Sequence, residues 1–253
     1  MPQLTVTISP SIAEMTRSTA ELAFTSTLNS APDLRIDVDS LAYMGPHSIV
    51  YRANLAGLNV VLKFSTNEQS FEDLTREADV YQGPLAPVQG SLIPRFHGYY
   101  KNERQGCLIL EDCGKPAAYL SFSELSREER KKILHVLTEF HRLTGLHPDD
   151  FAERNVVCMD GKYKLIDFHE LIEHECHPGL VVQMRWPTDM VCTHLSVAVI
   201  DMDLLPDDST SARTYPVLAN HARFSQISAG YYRQCAVSCP ELPSQAHHRC
   251  TTT

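Results

Sequence analysis

The sequence has no long apolar run, no surplus of positive charge and no C-x-x-C pair. Without a run near the length of a bilayer span, no transmembrane helix is expected. Lysine and arginine number 22 against 31 aspartates and glutamates, a formal net charge of −9. A nucleic-acid or anionic-membrane binder needs a concentrated basic face, so neither partner is expected. The opening Met1-Pro2-Gln3-Leu4-Thr5 lacks the basic start and apolar stretch of a secretory signal, which points to a cytoplasmic protein. The eight cysteines are scattered and read as reduced residues rather than a disulfide framework. There is one tryptophan, no lysine follows Lys164, and no internal repeat is present.

What is present is a globular composition, with 43% hydrophobic and 21% charged residues in 253 positions. Residues 1–38 are rich in Ser, Thr, Pro and Ala and read as a poorly ordered leader. From 39 onward the texture changes. The runs 48–53 and 59–64 are β-rich and flank Leu55-Ala56-Gly57-Leu58, which reads as a hairpin. Phe71, Leu74, Ala78 and Tyr81 recur at helical spacing, and Pro84 and Pro87 end that helix. Two more strands are expected at 93–100 and 107–111. Ser126-Arg127-Glu128-Glu129 is a capping box opening a helix with Ile133, Val136, Leu137, Phe140 and Leu143 on one face and Gly145 at its end. Asp160-Gly161 turns between short strands at 156–159 and 163–166. After about 190 the periodicity fades, which marks a boundary. The order of strands and helices indicates an α+β fold.

Lys63, Glu77, Asp150 with Asn155, and Asp167 follow one another along the chain. Phosphoryl transfer from a nucleotide uses these residue types. A strand lysine neutralises phosphate oxygens, and a helix glutamate holds that lysine. One aspartate accepts the proton of the attacking hydroxyl, while an asparagine and a second aspartate bind Mg²⁺ through hard oxygens.

From about 39 to 175 the sequence resembles the protein-kinase-like superfamily, and its wording around Asp150-Phe151 and Ile166-Asp167-Phe168 is most similar to fungal kinase-like proteins. Val60-Val61-Leu62-Lys63 resembles the V-A-I-K strand, and Arg76-Glu77-Ala78 the centre of the helix that supplies the partner glutamate. Leu110-Glu111-Asp112-Cys113-Gly114 resembles the segment between lobes. Asp150 to Asn155 matches the D-x-x-x-x-N spacing, and Leu165-Ile166-Asp167-Phe168-His169 resembles the strand ending in D-F-G.

The resemblance implies a two-lobed fold, with a small β-rich N-lobe at 39–113, a reduced helical C-lobe at 114–190 and a divergent or partly disordered tail at 191–253. It implies ATP and Mg²⁺ as cofactors and a hydroxyl acceptor, protein or small molecule. Asp150 would be the base, with Arg154 supplying charge near the γ-phosphate. Asn155 and Asp167 would hold Mg²⁺. Lys63, Glu77, Gly45, Val50, Glu111 and Cys113 would surround the nucleotide.

The sequence departs from that pattern in several places. Residues 43–50 keep only Gly45 of the glycine-rich loop, and Pro148 stands where the H-R-D histidine belongs. His147-Pro148-Asp149 makes Asp149 a second candidate base. His169 replaces the glycine of D-F-G, as in small-molecule kinases of the aminoglycoside and choline type, and no A-P-E follows. A pseudokinase and a small-molecule kinase are therefore alternative readings. His169 and His174 are five apart and do not share the helix face of an H-E-x-x-H site, so 169–174 is expected to be a polar helix. Glu175, Cys176 and His177 add possible metal ligands. The apolar stretches 179–182 and 197–205, and Trp186, are expected to pack.

Overall fold

The computed structural model describes residues 2–26, 33–173 and 192–204. The chain opens with β1 (Gln3–Thr7), α1 (Pro10–Thr16) and β2 (Glu21–Ser26). Three strands follow: β3 (Leu34–Met44), β4 (Ser48–Leu55) and β5 (Leu58–Ser65). Then come α2 (Glu68–Gln82), β6 (Phe96–Lys101) and β7 (Gly106–Glu111). These seven strands close into a barrel in the order β1-β2-β6-β7-β5-β4-β3. Neighbours are antiparallel except at the seam, where β1 runs parallel to β3 from Leu4 opposite Leu34 to Thr7 opposite Asp37.

Alternation along the strands fills the interior. Leu4, Val6, Phe24, Ile36, Tyr51, Leu62, Phe64 and Ile109 are all buried in one cluster. Each such side chain contributes about 1.5–3 kcal/mol by leaving water. The Tyr51 hydroxyl donates to Thr16 Oγ1 at 2.9 Å, which ties α1 to the barrel.

Outside the barrel lie β8 (Lys115–Pro116), α3 (Arg127–Thr144), β9 (Leu146–Pro148), β10 (Val156–Met159), β11 (Lys162–Leu165), β12 (Leu171–Glu173) and α4 (Thr193–Asp201). β11, β10 and β8 form one small sheet, and β12 pairs with β9. A second apolar core joins Leu74 and Tyr81 of α2, Leu108 and Leu110 of β7, Leu137 and Phe140 of α3, and Leu195 of α4. The cap expected for α3 is present: Ser126 Oγ accepts from Glu129 N, and Glu129 Oε2 accepts from Ser126 N at 2.9 Å. Gly145, at φ +69°, ends the helix in the left-handed region open to glycine.

The structure corrects the expected α+β, two-lobed kinase-like fold with a helical C-lobe. It is strand-rich, with a closed seven-stranded barrel and four α-helices among the described residues. The physical reason lies in residues 3–26. Expected as a leader, they supply β1 and β2, which satisfy the edges of β3 and β6 and close the sheet on itself. The helix expected at 169–174 is corrected as well. Leu171, Ile172 and Glu173 pair as a strand with Pro148, His147 and Leu146. Residues 193–201 of the expected tail form α4, which packs into the second core. Expectations for 174–191, including Cys176, His177 and Trp186, and for 205–253 lie outside the described residues. Among the described residues no helix is long and apolar enough to cross a membrane.

Candidate functional site

Strand periodicity sets the position of Lys63. Its neighbours Leu62 and Phe64 point into the barrel, so Lys63 faces outward beneath α2. α2 buries Leu74, Glu77, Ala78 and Tyr81 on one face, and Glu77 is the charged member of that face. Lys63 Nζ donates to Glu77 Oε2 at 2.7 Å and to Asp167 Oδ1 at 2.6 Å. Burial alone would lower the lysine's pKa, but the two carboxylates outweigh it and hold the amine charged. Burial pushes Glu77 above the ordinary carboxylate value despite Lys63. Asp167 goes the other way: burial opposes its charge, but Lys63 and His169 prevail and lower it. Glu77 Oε1 is buried with no hydrogen-bond partner among the described residues.

Asp167 is held by its neighbour in the chain. Phe168 stacks on Phe140 of α3 at 5.5 Å between ring centroids and meets Tyr81 of α2 edge-on at 5.7 Å. Asp167 itself adopts φ +69°, a left-handed conformation that aspartate tolerates better than most residues. One residue earlier, Ile166 N donates to the Asn155 carbonyl at 2.9 Å. That bond draws the 150–155 loop alongside Asp167. Within the loop Asn155 Nδ2 donates to Asp150 O at 2.9 Å and to Asp150 Oδ2 at 3.1 Å, and Arg154 pairs with the same carboxylate. Phe151 stacks on Phe122 at 5.5 Å, which anchors the loop to the second core.

Apart from Gly45 and Val50, the expected residues thus fall into three groups. Lys63, Glu77 and Asp167 touch, and Asp150, Arg154 and Asn155 touch, with one backbone bond joining the two sets. Asp149 is exposed, its N–H donating to Glu170 O at 3.2 Å, and Asn155 bonds Asp150 rather than Asp149. Val50 stands opposite Lys63 in the β4–β5 register. Gly45 sits in the β3–β4 turn, with its N–H donating to Ser48 O at 2.9 Å. Pro46 O of that turn accepts from Thr66 Oγ1 at 2.6 Å and Asn67 Nδ2 at 3.1 Å, fastening it to the start of α2.

Glu111 and Cys113 are the third group. They line an open groove of about 680 Å³ with Lys131 and Lys132 of α3 and Lys162 and Lys164 of β11, and Lys63 is not part of its wall. Lys164 Nζ donates to Glu111 Oε2 at 2.8 Å. Burial raises the Cys113 thiol to about 11, so it stays protonated at neutral pH. Gly114 follows at φ +97°, where a Cβ would collide with the Cys158 carbonyl. Only glycine allows β10 to come this close.

Residue type alone did not single out two contacts. His169 Nδ1 lies 3.3 Å from Asp167 Oδ1, and Lys164 occupies Glu111. A histidine two residues after the aspartate was the available signal for the first. The second depends on β11 meeting β7's end and left no local trace. As for a metal, Asn155 turns its amide nitrogen to Asp150, leaving Oδ1 as a donor, and Asp167 Oδ1 is engaged by Lys63 and His169, leaving Oδ2. Among the described residues no three His, Cys, Asp or Glu side chains are arranged to hold an ion. Compared with known proteins, the chain matches no family model and no curated protein.

Proposed function

We propose that the chain is an ATP- and Mg²⁺-dependent phosphotransferase acting on a hydroxyl acceptor. The observation that carries this reading is Lys63 held between Glu77 and Asp167 at 2.7 and 2.6 Å. A charged amine fixed on a strand is the group that neutralises nucleotide phosphate oxygens. Glu77 keeps it in place, so little reorganisation remains when phosphate replaces Asp167 as the second partner. Asp167 Oδ2 would be one of the oxygens that hold the cation.

Asn155 Oδ1 and Asp167 Oδ2 are two hard donors. Two suffice for Mg²⁺, which keeps waters and phosphate oxygens in its shell. When bound, Mg²⁺ neutralises charge on the phosphate oxygens. Asp150, half exposed and oriented by Asn155, takes the acceptor's hydroxyl proton as general base. The bond between the γ-phosphorus and the β-phosphate oxygen breaks, a new one forms to the acceptor oxygen, and ADP leaves. Arg154, paired with Asp150, supplies positive charge beside the transferred group. We place this reaction in the cytoplasm, in keeping with the free Cys107, Cys113 and Cys158.

The test follows ADP release from the full chain with ATP and Mg²⁺. Turnover is expected in the unmodified protein and is strongly lowered in Asp150→Ala and Asp167→Ala. Asp150→Ala keeps the thermal stabilisation by ATP and Mg²⁺, about 2.7 kcal/mol at a hundredfold excess over the dissociation constant. The absence of both turnover and stabilisation in the unmodified protein overturns the reading. A second reading, nucleotide binding without transfer, is favoured by the engaged Gly45 N–H and the Arg154 pairing of Asp150. Stabilisation without turnover selects it.

A further inference from the structure

Tyr81 is the last buried residue of α2, one turn after Glu77 and on the same face. Its side chain is fully buried. The ring stacks on Phe96 of β6 at 6.1 Å between centroids and meets Phe168 edge-on at 5.7 Å. Contacts from two different elements fix where the ring points. Its hydroxyl is nonetheless left with no hydrogen-bond partner among the described residues. Glu77 Oε1 shares that condition, while Oε2 is taken by Lys63.

A buried donor and a buried acceptor without partners each cost free energy in a closed core. The groups that face the Tyr81 hydroxyl are the carboxylates of Glu77, Asp167 and Glu111 and the thiol of Cys113. Burial and these carboxylates, Glu77 first among them, push the phenol well above its ordinary pKa, so it keeps its proton and remains a donor. Three of the four neighbours are already engaged. Asp167 Oδ1 accepts from Lys63, and Glu111 Oε2 accepts from Lys164 and from the Arg95 N–H at 2.8 and 3.0 Å. The Cys113 thiol donates to the Glu111 carbonyl at 3.5 Å. The second oxygens of Asp167 and Glu111 are not among the buried atoms that lack a partner. Glu77 Oε1 is therefore the acceptor that matches the unspent O–H in charge, burial and place on the helix. The two atoms make no direct bond, so a link between them takes a water, which satisfies both.

We propose that Tyr81 is a positioning residue for Lys63: its hydroxyl donates to one buried water, and that water donates to Glu77 Oε1. With both oxygens held, the Glu77 carboxylate does not rotate away from the amine. A phenylalanine would keep every ring contact and lose only this hold, so the phenol oxygen has a role that packing does not explain. The inference rests on the proposed function only in naming Lys63 as the phosphate-binding group. How Glu77 is held is read without turnover.

The full chain is crystallised and refined at a resolution that places ordered water. One water is expected within about 3.2 Å of both Tyr81 Oη and Glu77 Oε1. Density without that water overturns the proposal, and this reading needs no variant. In solution, tyrosine is isotope-labelled at the ring carbon that bears the hydroxyl, and Tyr81→Phe assigns the Tyr81 signal. Glu77→Gln replaces a charged acceptor with a neutral one and should move that signal toward that of an unbonded phenol. A signal that stays in place overturns the link. The same substitutions give a stability cycle by urea unfolding. Tyr81→Phe should lower the folding equilibrium constant roughly tenfold in the unmodified chain and about threefold or less beside Glu77→Gln, because a bond to a charged acceptor is the stronger. An equal loss in both backgrounds means that the hydroxyl acts apart from Glu77, which also overturns the proposal.

Discussion

Lys63 and Arg154 are both cations held by carboxylates, yet one network is sealed and the other is wet. The Glu77 side chain is 1% exposed and Lys63 18%, whereas Asp150 and Arg154 are 41% and 44% exposed. The sealed network joins the barrel to α2 and to the segment after β11 that carries Asp167. Glu77 has given up water, Lys63 most of it, and Asp167, 29% exposed, part of it; the three rely on each other, so removing one strands the rest. The wet pair lies on a loop, and water can replace either partner. The same pairing of charges therefore fixes architecture in one place and leaves a carboxylate accessible to solvent in the other.

That contrast can be broken most sharply at Lys63. Lys63→Met leaves Glu77 and Asp167 facing each other with only His169 beside Asp167 and is expected to cost about 3–5 kcal/mol in urea unfolding at neutral pH. The loss should shrink as the pH falls, because protonation removes the repulsion. A cost equal at all pH values would deny the network its role. Asp150→Ala should do the reverse, lowering turnover by roughly 10²–10⁴ while stability stays within about 0.5 kcal/mol.

Glu111 and Lys164 form an intermediate case, with side chains 32% and 11% exposed. Burial works against the Glu111 charge, but bonds from Lys164 and the Arg95 N–H prevail and lower its pKa. A lowered value in the folded state stabilises above the unfolded value of about 4.3 and loses that contribution as pH falls. Glu111→Gln should therefore cost up to about 1 kcal/mol at pH 7, and the cost should shrink as the pH falls through the lowered folded value. Urea midpoints measured across that acid range decide it. The smallest effect is expected for Arg154→Ala, within about 0.5 kcal/mol of the unmodified protein by the same measurement.

Local signals carried much of the fold. The β4–β5 hairpin, the α2 stripe, the Ser126–Glu129 cap and the Asp160-Gly161 turn each depend on residues a few places apart. The barrel was not legible, because its closure rests on partners far away in sequence. Leu4, Val6 and Ile8 do alternate, and the threonines between them are good strand formers. Among so many Ser, Thr and Pro residues that alternation looked like a loose leader. β12 was missed for the same reason, since its polar wording fits a helix until β9 supplies a partner. Within the site, the residue types and their order were visible from the start. The Ile166–Asn155 bond that joins its halves and the Lys164–Glu111 pair were not, because both depend on how the elements meet.

The parallel seam and the β2–β6 pairing also govern how the protein is made. Thr25 waits for Lys101 and Val60 for Glu111, so a nascent chain on the ribosome carries β1 through β5 with raw strand edges until β6 and β7 emerge. Strand exchange between copies whose edges are still open is therefore the characteristic hazard of synthesis. Slowing elongation between β5 and β6 should lengthen that window and raise the yield of intertwined dimers.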